Sequence, residues 1–67
     1  MFNRNTYIAQ LPIEKQDRIE AELRKFYAKE FPELGLERIK ELISEVMCNR
    51  IWVLEDGFSD LLDKLGI

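Results

Sequence analysis

Cysteine and histidine are nearly absent from this sequence of 67 residues, which has Cys48 as its single cysteine and no histidine. A disulfide within these residues is therefore excluded, and a zinc site is not expected because its usual ligands are Cys and His. A chain of this length without such cross-links has a small core. We therefore expect it to gain stability from a protein partner or from self-association.

Long apolar runs are also missing. No stretch approaches the roughly 20 apolar residues that a membrane-spanning helix needs. Residues 1–6 are mixed and polar rather than the apolar core of a signal peptide. The length allows one domain at most. We therefore expect a cytoplasmic protein that is neither secreted through a standard signal nor inserted in a membrane.

Charge is unevenly distributed around a net value of −3. Residues 1–29 contain six basic and four acidic side chains, whereas residues 30–67 contain four basic and nine acidic ones. An acidic second half repels phosphate backbones, so nucleic acid is not expected as the main partner. A basic protein surface is compatible with this distribution.

The first half of the sequence predicts an arm over residues 1–11 and a helix over residues 12–31. The arm has apolar residues only at intervals, including Phe2, Tyr7 and Ile8, and is not expected to be a stable element. Pro12 suits the first position of a helix, and Pro32 disfavours helical conformation at the residue before it. A buried stripe is predicted along this helix at Ile19, Leu23, Phe26 and Tyr27.

Acidic and basic side chains on this helix are spaced to support it. Glu14 with Arg18 and Glu20 with Arg24 are four residues apart, with the acid first. Each such pair stabilises an exposed helix by about 0.2–0.5 kcal/mol.

Gly35 is expected to turn the chain through a positive φ into a second helix over residues 36–55. The apolar stripe of that helix is Leu36, Ile39, Leu42, Ile43, Val46 and Met47. Gly57 is expected to break the helical path before a short third helix over residues 59–65. The predicted fold is a single all-α domain, a small bundle of two main antiparallel or crossed helices with a short C-terminal helix and an N-terminal arm.

Groups that could perform catalysis are not found together in this sequence. Cys48 falls on the polar side of its predicted helix and has no histidine to activate it. The acidic residues near the end lack the ligand spacing and central glycine of a calcium loop. We therefore predict no enzyme activity, no catalytic, cofactor-binding or metal-binding residue, and no small-molecule substrate.

Two side chains break the pattern of the second helix. If that helix continues past Met47, Arg50 falls in the middle of the apolar stripe and Trp52 falls on the polar side. Trp and Arg are enriched at interface hot spots, so Met47, Arg50, Ile51 and Trp52 are candidate partner-binding residues. In the alternative interpretation, Phe2, Tyr7 and Ile8 of the arm pack over Trp52, and Arg50 pairs with an acid such as Glu30.

The main functional hypothesis is a non-enzymatic module that binds or inhibits another protein. A helix-turn-helix regulator is an alternative, because two helices joined by a glycine-containing turn are what that motif requires. The second helix begins with alternating charges rather than a basic cluster, which is unsuited to a DNA groove. A purely structural homodimer or larger homo-oligomer is a third alternative, because a small core favours association.

Several residues also suggest a family resemblance. They are Tyr7-Ile8, Leu11-Pro12, Gln16, Ile19, Leu23, Ile51 and Leu54-Glu55-Asp56. In this order the sequence resembles small acidic helical proteins of Gram-positive bacterial genomes and their mobile elements, which have no assigned activity. The resemblance implies a cytoplasmic accessory protein of a phage, plasmid or conjugative element, and it implies no catalytic or binding residue.

Overall fold

The computed structural model describes residues 3–67, which form an all-α fold with three α-helices and no strand. In chain order the elements are a 3-10 turn (Ile8–Gln10), α1 (Ile13–Glu30), α2 (Leu36–Met47), a second 3-10 turn (Ile51–Leu54) and α3 (Glu55–Lys64). The predicted fold class is confirmed. Phe2, which was expected to belong to the arm, lies outside the described residues. No helix within residues 3–67 is long and apolar enough to cross a membrane.

Helix α1 follows the predicted bounds closely. Pro12 precedes its first residue, and the Pro12 carbonyl accepts hydrogen bonds from the backbone N–H groups of Lys15 and Gln16. Of the predicted stripe, Ile19 and Leu23 are buried in the core, whereas Tyr27 is half-buried and Phe26 is exposed. The ion pair between Glu20 and Arg24 forms at 3.1 Å.

The second predicted ion pair of α1 is wrong. Among the described residues, Glu14 and Arg18 do not come within ion-pair distance of each other. Arg18 instead lies at the edge of a groove between α1 and α3.

The turn between α1 and α2 is built differently from the expectation. Gly35 has φ −73° and ψ 160°, so the predicted positive φ is wrong. The turn is closed by a 3.0 Å hydrogen bond from the Leu34 N–H to the Phe31 carbonyl. Gly35 is the residue just before α2, where extended backbone is the normal geometry of a helix N-cap.

Helix α2 ends at Met47 rather than at residue 55, so the predicted length of this helix is wrong. A continued helix would turn the Arg50 side chain into the apolar core, which is costly for an unpaired charge. The chain becomes extended at Arg50 instead. The Asn49 side chain donates a 2.9 Å hydrogen bond to the Glu45 carbonyl, which satisfies one of the free carbonyls at the helix end.

The core lies between the helices and includes residues of the arm and of the C-terminus. Its buried members are Ile8, Leu11, Ile19, Leu23, Ile39, Ile43, Ile51, Leu54, Leu61, Leu62, Leu65 and Ile67. The C-terminal end is fixed by hydrogen bonds from the Lys15 ammonium to the Leu65 carbonyl and from Arg4 Nη2 to the Ile67 carbonyl at 3.1 Å.

The break predicted at Gly57 is confirmed. Asp56, Gly57 and Phe58 leave helical geometry within α3, and Gly57 has φ 97°. This conformation is strained for residues that have a Cβ atom. The regular part of α3 therefore begins after this kink.

We expect Gly57→Ala to lower the free energy of unfolding by about 1–2 kcal/mol, because alanine is strained at positive φ. The measurement is urea denaturation followed by far-UV circular dichroism. Gly35→Ala is the matched control, since Gly35 has negative φ and no atom within 4 Å of an added Cβ. At position 35, alanine lowers the entropy of the unfolded chain, which raises stability, but it is a poorer N-cap than glycine, which lowers stability. Little net change is therefore expected. Equal losses for both variants would contradict the assignment of strain to Gly57.

Candidate partner-binding surface

The arm is paired with the segment that follows α2. Tyr7 and Arg50 form an isolated antiparallel bridge. Three backbone hydrogen bonds join the two segments: Ile8 N–H to Asn49 O (3.0 Å), Ile51 N–H to Thr6 O (2.8 Å) and Trp52 N–H to Arg4 O (2.9 Å). These bonds replace the helical hydrogen bonds that residues 49–52 give up when α2 ends.

Arg4 connects the arm to α3 as well. Its Nη1 atom lies 3.3 Å from Glu55 Oε1, in an ion pair between partly exposed side chains. Exposed pairs of this kind contribute at most about 1 kcal/mol. The arm is thus held mainly by its backbone pairing and by the burial of Ile8 and Leu11.

The chain is extended at Arg50 and then enters the 3-10 turn Ile51–Leu54, in which successive side chains are about 120° apart. Ile51 has 0% of its surface exposed, whereas Trp52 has 54% exposed. Arg50, the residue before Ile51, is also exposed. This geometry lets the chain bury an aliphatic residue and present a cation and an indole from three consecutive positions.

Arg50 is held by the arm and not by an acid. Its guanidinium carbon lies 5.1 Å from the centroid of the Tyr7 ring, in a cation–π contact. Its Nη1 donates to Asn5 Oδ1 at 3.0 Å, and its Nη2 donates to the Tyr7 hydroxyl at 3.4 Å. The expected pairing with Glu30 is wrong. Within residues 3–67 Arg50 forms no ion pair, so its charge is not neutralised by a carboxylate of this chain.

The four candidate residues from the sequence therefore divide into two groups. Arg50 and Trp52 are on the surface. Met47 is half-buried against the core, and Ile51 is fully buried. The choice of Ile51 as a contact residue is wrong, because its side chain has no surface to offer a partner. Tyr7, which has 45% of its surface exposed, lies against Arg50 and was not among the candidates.

We use the term Trp52 surface for Tyr7, Arg50 and Trp52 together. Comparison of this chain with protein-family models, curated proteins and solved structures gave no match. The Trp52 surface must therefore be interpreted from its own chemistry. It combines an indole, a phenol ring and a guanidinium, which are the side chains most often found at interface hot spots.

Other reactive groups lie apart from this surface or are not gathered into a site. Cys48 is exposed at the end of α2. Within the described residues no group of three or more Cys, Asp or Glu side chains is placed to hold a metal ion.

A second set of aromatic side chains lies where α1, the turn and α3 meet. Phe26 is at the centre, with ring centroids 5.4 Å from Tyr27, 5.2 Å from Phe58 and 6.4 Å from Phe31. Phe26 remains 39% exposed although three rings surround it. The apolar stripe of the first helix predicted Phe26, but nothing in the sequence indicated that Phe26 and Phe58 meet.

Proposed function

We propose that this protein is a non-enzymatic module that binds another protein through the Trp52 surface. The observation that supports the proposal is an exposed tryptophan on a backbone segment that the arm fixes in place. Trp52 is 54% exposed, and its backbone N–H donates a hydrogen bond to the Arg4 carbonyl at 2.9 Å. A small domain normally uses its single tryptophan for packing, because aromatic side chains dominate the energy of small cores.

The Trp52 surface is already ordered before a partner binds, which favours tight binding. Association is opposed by the loss of side-chain and loop freedom at the interface. Here the backbone at Trp52 is already fixed, and Arg50 is already oriented by Tyr7 and Asn5. A partner that covers the indole and offers a carboxylate to Arg50 would therefore order few additional groups.

Nucleic acid lies outside this proposal. Arg38, at the start of α2, donates to Glu41 at 2.9 Å and is flanked by Glu37. A recognition helix needs its first basic side chains free for phosphates and bases. We further propose that the partner is a protein of the same cell and that this module inhibits it, as an accessory protein of a mobile element would.

The proposal is tested by photo-crosslinking from position 52. A photoreactive phenylalanine derivative replaces Trp52 in the full chain, expressed in the source organism, and covalent products are identified by mass spectrometry. We expect one dominant cross-linked protein. The matched control carries the same group at exposed Lys40 on α2 and should not give that product.

Arg50→Gln in the position-52 probe provides a second control, and it should weaken the cross-link because it removes the cation that we assign to the Trp52 surface. Cross-linking to a second copy of this chain would indicate the structural homo-oligomer instead. Equal products from positions 52 and 40 would contradict a binding role for the Trp52 surface.

A further inference from the structure

We propose that a groove between α1 and α3 binds an acidic segment of a partner protein that carries an apolar anchor residue. We call it the basic groove. Four cationic side chains line it: Arg18, Lys25 and Lys29 from α1 and Lys64 from α3. Its apolar part is formed by Phe26 and Phe58. The inference concerns a surface distinct from the Trp52 surface and does not depend on it.

Charge is the first argument for an acidic ligand. The four cations of the basic groove face two acids, Glu22 and Asp60, so the groove is positive in a chain whose net charge is −3. Of these four cations, only Lys25 has an ion-pair partner among the described residues, namely Glu22 at 3.8 Å. Arg18, Lys29 and Lys64 form no ion pair within residues 3–67. Their charges are available to carboxylates of a partner.

The aromatic rings are the second argument, because they add an apolar contact to the charges. Phe26 and Phe58 meet edge to face, with centroids 5.2 Å apart and planes at 72°. The groove has a volume of ≈ 320 Å³, at the small end of the range for ligand sites. It therefore suits one or two side chains rather than a large cofactor. A leucine or phenylalanine against the rings, flanked by Asp or Glu, matches both features.

A nucleic acid fits the basic groove less well than a peptide. Glu22 and Asp60 lie among the cations and would repel the evenly spaced phosphates of a strand. A peptide can place its carboxylates opposite the lysines and leave these two acids beside neutral residues. The fixed positions of the groove charges would therefore make binding specific for peptides whose carboxylates lie opposite the lysines.

The kink at Gly57 explains how the rings come together. Gly57 lines the groove and has φ 97°, and Phe58 follows it directly. The non-helical backbone at residues 56–58 brings Phe58 against Phe26 before the regular part of α3 begins. The shape of the groove therefore depends on this glycine.

The test is an NMR titration of the full 15N-labelled chain with a short synthetic peptide in which leucine and phenylalanine are flanked by glutamates. We expect saturable shifts of the backbone signals of Lys25, Phe26, Lys29 and Phe58, and no shift of the Trp52 indole signal. The indole reports on the Trp52 surface, so failure here is distinguishable from failure of the proposed function.

Two double variants with the same change in charge separate the groove from general electrostatics. Lys29→Gln with Lys64→Gln should weaken peptide binding about fivefold, as the loss of two exposed charge contacts predicts. Arg38→Gln with Lys40→Gln, on α2, should leave it unchanged. A peptide with glutamine in place of glutamate should not bind.

Three results would overturn the inference. They are the absence of saturable shifts in the wild-type chain, equal weakening by both double variants, and tighter binding of a single-stranded oligonucleotide than of the peptide. The last would assign the basic groove to nucleic acid. All substituted residues are exposed, so loss of folding is not expected to interfere.

Discussion

Replacing Ile8 with alanine should lower the free energy of unfolding by about 2–5 kcal/mol, as large-to-small substitutions in cores do. Ile8 has 0% exposure and joins residues of α1, α2 and α3 in one core. A domain of this size has a total stability of about 3–10 kcal/mol. The loss is therefore expected to be a large fraction of the total stability.

The measurement is chemical denaturation monitored by far-UV circular dichroism. Ile13→Ala is the matched control, because Ile13 is 68% exposed and lies at the start of α1. Its effect should stay within about 0.5 kcal/mol, as is usual for surface substitutions. A loss at Ile8 as small as the one expected at Ile13 would show that the arm is not part of the cooperative unit.

The arm was the part of the fold that the sequence described least well. Its apolar residues are too few and too irregular to predict an element, and its contacts are distant in sequence. Asn5 and Arg50, for example, bond across 45 residues. A periodic pattern reports on one element at a time, so it cannot reveal pairing between two irregular segments.

Periodic patterns did predict the elements that depend on local sequence. The bounds of α1 follow from Pro12, Pro32 and a stripe that is buried at Ile19 and Leu23. The start of α2 and the break at Gly57 were predicted from glycines instead, and both positions are correct although the predicted φ of Gly35 is not. The errors were the continuation of α2 beyond Met47 and the conformation of Gly35, where long-range pairing or turn geometry decided the backbone.

The candidate site shows how a correct signal can carry a wrong explanation. Arg50 in the apolar stripe and Trp52 on the polar side were derived from a helix that continues, and that conflict was itself the sign that the helix stops. The chain is in fact extended at Arg50 and enters a 3-10 turn at Ile51, which buries Ile51 and leaves Arg50 and Trp52 exposed. The sequence could therefore identify where the helical pattern fails, but not which side chains of that region are exposed.

Ile51 and Trp52 allow this distinction to be measured on adjacent residues. Ile51→Ala should lower the free energy of unfolding by about 2–5 kcal/mol, because it leaves a cavity at a fully buried position. Trp52→Ala should lower it by less than about 1 kcal/mol, because more than half of the surface of this residue is already in water. Both values come from urea denaturation of the purified chain.

In partner binding the order of the two variants should be reversed, with Trp52→Ala the more harmful one. Binding is measured at a temperature where both variants are folded. Trp52→Ala is expected to weaken binding by at least about 2 kcal/mol if the indole is a hot spot, whereas Ile51→Ala is expected to leave the affinity of the folded fraction nearly unchanged. A large loss of stability on Trp52→Ala would mean that the indole is a packing residue. The exposed aromatic would then support the arm, and the proposed partner surface would have to be abandoned.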